Sequence, residues 1–189
     1  MKTSIKKSMF IAIYAMVSVF FIASCSTDKM DDVKPVSAER VMDDAVDLKQ
    51  GNAAQNQLLA QVRRATAKYQ RVEVAFADGY LEDNHCVYNE ALGAGMGYHF
   101  LNPGLMGVDF DPLQPQVLLY EQSKNGKYNL IGVEYIVMDI GQDHPHFGNQ
   151  PFDVGGTSIP DPHYSLHVWV WKANPLGMYF PFNSNVKCH

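Results

Sequence analysis

The sequence predicts an α+β domain in which one or two N-terminal helices pack on an antiparallel, curled β-sheet. Three observations predict it. Before Arg71 the apolar residues recur at helical spacing. After it, apolar runs of strand length alternate with Gly, Pro, Asn and Asp breaks. Between two such runs lies Asn125-Gly126, a dipeptide suited to the left-handed backbone of a tight hairpin turn.

Taken in chain order, residues 1–24 read as an export signal. "MKTSIKKSMF" is basic, 9–22 is an uncharged apolar run, and Ala23-Ser24 are small residues directly before Cys25. The run has 14 residues, short of the ~20 that a membrane-spanning helix needs. The ending resembles the lipobox of bacterial lipoproteins, which implies that Cys25 is lipidated and becomes the first residue of the exported chain. The expected partner is then a membrane, held through the lipid anchor, on the periplasmic or surface face of the cell envelope. Ser26 follows where many bacteria place the aspartate that retains a lipoprotein at the inner membrane, so either membrane stays open. Residues 25–36 are short and polar and read as a tether. Residues 37–189 form the single domain.

Within that domain Ser37 reads as an N-cap and 38–48 as a helix, with Gly51-Asn52 as an interruption. A second helix is expected over 53–70, where Leu58, Val62, Ala65 and Tyr69 make one apolar stripe. "VEVAFADG" alternates and predicts a strand closed by Asp78-Gly79. "GAGMGYHFLNP", "QVLLYEQ", "YNLIGVEYIVMD" and "YSLHVWVW" predict further strands, and "MYFPF" a short last one. Residues 140–162 are rich in Pro and Gly and read as a long loop with a functional or mobile role. In "YSLHVWVW" an unbroken strand would put Ser165, His167, Trp169 and Trp171 on one face.

Charge and cysteine content narrow the function classes. The formal charge is −5, and it becomes −8 once Lys2, Lys6 and Lys7 leave with the signal. An acidic chain with no basic cluster does not suit phosphate backbones, which excludes nucleic acid. With Cys25 lipidated, Cys86 and Cys188 remain as an even pair, expected to form a disulfide in an oxidising compartment. Each has a histidine neighbour, His85 and His189, so a four-ligand metal site is the alternative, although zinc-type pair spacing is missing.

The motifs "ADGY", "HCV", "GAGMGYHFLN", "FDPLQPQVLLYE", "LIGVEYIV", "FG", "PF" and "YSLHVWVWKANPLGMY", closed by a cysteine, occur in that order from Ala77 onward. In this the chain resembles a family of uncharacterised exported bacterial proteins and lipoproteins. The resemblance implies family membership and no particular activity.

Three residues are ionisable where the pattern predicts apolar side chains: His99, Glu134 and His167. An unpaired buried carboxylate costs several kcal/mol, so Glu134 requires a partner, a proton, a metal or an exposed face. Should the three strands bring these side chains together, two imidazoles and one carboxylate would suit a divalent transition metal with open positions. The same set suits acid–base chemistry, with Glu134 and a histidine as the pair in a small hydrolase or lyase. The leading expectation is an envelope lipoprotein that binds a metal ion or small ligand there. The alternative is a structural or interaction module without a site, with an envelope protein as partner. His144 and His146 in "HPH", and His163 beside the last long strand, are secondary candidates.

Overall fold

The computed structural model describes residues 38–156 and 159–188, with side chains from Asn52 onward. The expected export signal, Cys25, the expected tether, Ser37 and His189 lie outside the described residues. Helix α1 spans Ala38–Thr66 and continues as a short 3-10 turn, Ala67–Gln70. It runs straight through Gly51-Asn52, so the expected pair of helices is one. A glycine in a helix interior costs only about 1 kcal/mol, which the rest of the helix outweighs. No described helix is long and apolar enough to cross a membrane.

Helix α2, Val72–Ala77, stands where a strand was expected. The cause is visible at its end. Gly79 has φ +92°, its N–H donates to the Phe76 carbonyl, and the Tyr80 N–H reaches back to Ala75. That is a Schellman C-cap, which needs a residue at ease in the left-handed region. Asp78-Gly79 thus ends a helix, and fully buried Ala75 sits against the core as part of it.

The strands are β1 Leu81–Asn89, β2 Ala94–Leu101, β3 Val117–Gln122, β4 Tyr128–Met138, β5 His146–Phe147, β6 Gln150–Pro151, β7 Asp153–Val154 and β8 His163–Val168. Six of them form a curled antiparallel sheet in the order β1-β2-β3-β4-β8-β7, while β5 and β6 pair separately. The β3–β4 turn is the expected Asn-Gly hairpin. Gly126 takes φ +81°, its N–H donates to Ser123, and Ser123 N–H donates to Lys127. The long 140–162 segment carries β5 to β7 and is pinned to α1 through Gln55. That side chain donates to the Phe147 carbonyl (3.3 Å) and the Tyr179 hydroxyl (2.5 Å) and accepts from Asn149 N–H (3.0 Å).

Both faces of the sheet are covered. One face, with Phe100, Leu118, Tyr120, Val133, Tyr135 and Leu166, packs with Leu59, Val62 and Tyr69 of the helical layer. The other carries a smaller cluster of Val117, Leu119, Ile131, Ile136, Trp169 and Val186. Period-2 alternation along β4 therefore puts Val133, Tyr135 and Val137 toward the helix and Gly132, Glu134 and Ile136 on the opposite face.

The alternation of "YSLHVWVW" stops at Val168. A register shift lies between the Leu119–Gly132 and Tyr120–Leu130 pairs and leaves Ile131 as an extra residue. Its carbonyl accepts from both Trp171 N–H (3.2 Å) and Lys172 N–H (3.0 Å). The chain turns there, so the two tryptophans do not share a face as expected. Trp169 joins the small cluster, and Trp171 crosses to the helix side, where its indole N–H donates to Thr66 Oγ1 (3.0 Å). "MYFPF" is no strand. Past it, Asn183 forms a single bridge to Gly95.

Candidate metal centre

Each of the three chemical residues is set by its strand register. Glu134 on β4 lies opposite His167 on the adjacent β8, and opposite Val117 on β3. His99 on β2 lies opposite Leu119, on the far side of β3. Gly132, the β4 partner of Leu119 and two residues before Glu134, presents no side chain on this face. A Cβ there would meet Val168 O at 3.0 Å and the Trp169 ring at 3.2 Å. It would also lie 3.4 Å from Leu119 Cδ1, so the space over Gly132 is taken by Leu119 and Trp169, while His99 reaches across β3 to Glu134.

The three side chains meet. His99 Nε2 lies 3.6 Å from one Glu134 oxygen, and His167 Nδ1 lies 3.8 Å from the other. One ligand-type atom from each residue lies within 4.8 Å of those of the other two. Two ligands ~2.1 Å from one tetrahedral ion are ~3.4 Å apart, so the Glu134 contacts exceed that spacing by a few tenths of an ångström. The rings of His99 and His167 stand edge to face, with centroids 6.1 Å apart. Side-chain exposure is 18% for His99, 11% for Glu134 and 5% for His167, so the His99 side is the most open to solvent.

Electrostatics follow from burial. It pushes the Glu134 carboxyl above its ordinary range, opposed by His99 and His163. It holds His99 below the usual imidazole value, against the pull of Glu134. It brings His167 down to about 4, with Asp153 opposing. Both imidazoles are therefore neutral at neutral pH, the form that offers a lone pair to a metal. Two nitrogens, His99 Nδ1 and His167 Nε2, are buried with no hydrogen-bond partner. Among the described residues, the ion contacts of Glu134 are with these two histidines alone. An ionised Glu134 beside two neutral rings is a buried charge of −1 lacking the cation that such charges normally have.

The chain matches no family model, no curated protein and no solved structure.

The secondary candidates go elsewhere. His144 Nε2 is 2.7 Å from the Phe152 carbonyl and His146 Nδ1 is 2.9 Å from the His144 carbonyl, so both rings are engaged by backbone. His163 shares the site face of β8 but sits opposite Met138, with Nδ1 2.8 Å from Asp161 O. Cys86 and Cys188 are at disulfide distance, with Cα atoms 5.7 Å apart, which removes the thiolates a Cys/His metal site would need. Two surface depressions of about 370 and 400 Å³ flank Leu105 and Gln114, and none of the triad lines either. What the sequence did not announce is the C-terminal segment lying against Trp169.

Proposed function

We propose that His99, Glu134 and His167 bind one divalent transition metal ion, leaving coordination positions open to a small ligand or water. The observation that carries this is the pair of carboxylate–imidazole distances, 3.6 and 3.8 Å, in a buried group whose two imidazoles have no other hydrogen-bond partner. Two nitrogens and a carboxylate favour zinc, iron, cobalt, nickel or copper over magnesium and calcium, which prefer all-oxygen sets. Support for an envelope setting is separate and comes from residues 1–25, which have the layout of a lipoprotein signal. The protein is then a lipid-anchored metal-binding domain of the cell envelope, in keeping with the exported family it resembles.

A second reading has its own supporting observation. A carboxyl raised by burial next to a neutral imidazole is an acid and a base side by side, suited to proton transfer without a metal. Elemental analysis of natively purified protein separates the two. One equivalent of a transition metal, lost in both His167→Ala and Glu134→Gln, is the expected result. Metal retained by both variants, or absent from wild type after incubation with zinc, would sink the metal reading.

A further inference from the structure

The imidazole of His167 is held by no hydrogen bond. Its Nδ1 faces Glu134 at 3.8 Å and its Nε2 is buried without a partner. Metal-ligating histidines usually donate their second N–H to a carbonyl or carboxylate, and that bond fixes the ring. Here the ring instead stacks on Trp169, with centroids 6.3 Å apart and planes at 28°. Trp169 in turn is fastened by the C-terminal segment. Its backbone N–H donates to Met178 O (3.1 Å) and its indole N–H to Phe180 O (2.7 Å).

That segment continues across the site face. Asn183 and Gly95 exchange two backbone hydrogen bonds, of 3.1 and 2.9 Å, at the start of β2. Val186 is fully buried in the cluster that contains Trp169. Cys188 then joins Cys86 of β1, whose cross-strand partner is Tyr98, the neighbour of His99. One length of chain therefore connects the residue under His167 with the strand pair that carries His99.

Resting on the metal reading of the triad, we infer that residues 178–188, closed by the Cys86–Cys188 disulfide, are a strap that positions His167 through Trp169 and sets the metal affinity of the site. Trp169 does for this ring by stacking what a hydrogen-bonding partner does elsewhere. The disulfide keeps the strap seated after the last backbone pair at Asn183 and Gly95. Affinity belongs to the oxidised chain, and opening the disulfide leaves the three ligands in place but loosens one of them.

Zinc titration of the purified chain against a chromophoric competitor tests this. The double variant Cys86→Ser/Cys188→Ser should still take up one zinc, with affinity weakened ~10–100-fold, the usual cost of losing an outer-shell support. In disulfide-intact protein, Trp169→Phe keeps an aromatic face and should stay near wild type, whereas Trp169→Leu should fall like the double variant. Wild-type affinity in the double variant or in Trp169→Leu overturns the inference. Should the double variant not fold, the two Trp169 variants decide alone. A wild-type chain that takes up no zinc removes the metal reading, and the strap's role falls with it.

Discussion

Glu134→Gln separates a site from a scaffold, because the two roles predict opposite signs. Suppose Glu134 were a structural ion-pair partner. With protonated histidines at 3.6 and 3.8 Å, each contact would be worth about 4–5 kcal/mol at an effective dielectric of 20. Removing one member of such a buried pair costs ~3–5 kcal/mol. Burial, however, keeps both imidazoles neutral, so that attraction is not realised, while the desolvation cost of the carboxylate, several kcal/mol, remains. A neutral amide of the same shape should then stabilise the metal-free protein by ~1–3 kcal/mol. At ~2–4 °C per kcal/mol for a domain of this size, Tm should rise by roughly 2–12 °C. The sign with pH is fixed as well. A raised carboxyl is penalised once ionised, so wild type loses stability as pH rises from the ordinary carboxyl value through the raised one, and the variant does not. The advantage of the variant should therefore grow toward alkaline pH. Zinc acts the other way: at a hundredfold over Kd it stabilises wild type by ~2.7 kcal/mol, and it should leave the variant unmoved. Calorimetry of chelator-treated protein, with and without zinc, reads both effects. A variant that melts several degrees below wild type and still shows the full zinc shift would refute the reasoning.

Other outcomes follow from the same structure. His167 stays neutral in the fold down to about 4, whereas the unfolded chain protonates near 6.5. Metal-free protein should thus lose about 3 kcal/mol as pH falls from ~6.5 to ~4, and urea melts in His167→Gln should lack that part of the slope. Gly97→Ala places a Cβ against the Tyr120 carbonyl at φ +87°, two residues from His99, and should cost at least ~2 kcal/mol by chemical denaturation. Leu118→Ala opens a cavity on the helix side of the sheet, so it should cost ~2–5 kcal/mol while the folded fraction keeps wild-type zinc affinity.

Legibility in the sequence followed how local each determinant was. β3, β4 and their turn could be read because Asn125-Gly126 has one common use and both flanking runs are apolar. Helix α2 was misread because V-E-V-A-F-A alternates while Asp78-Gly79 closes strands and helices alike. Only the reach of the Tyr80 N–H to Ala75 distinguishes them. Glu134 stood out as a carboxylate in an apolar run, and His167 as a histidine among tryptophans. Their meeting is a matter of register: β8 returns to pair with β4 after a long excursion, and His99 reaches Glu134 from the far side of β3. The separation of Trp169 from Trp171 likewise depends on the extra residue at Ile131, a tertiary event with no signature inside "YSLHVWVW".

The bulge at Ile131 has a consequence for folding fidelity. In most antiparallel sheets one face meets water, and a slip of one residue is punished by exposing apolar side chains. Here both faces of β4 are dry, and one is as apolar as the other over most of its length. A slipped β4 would exchange Val133 and Tyr135 for Glu134 and Ile136 beneath the helix, and would take the carboxyl away from the two imidazoles that face it. A carbonyl that must satisfy two N–H groups at one position marks the correct alignment at the other end of the strand. The doubly claimed oxygen of Ile131 and the Glu134–His167 pair thus mark the same register of β4 at two points along its length.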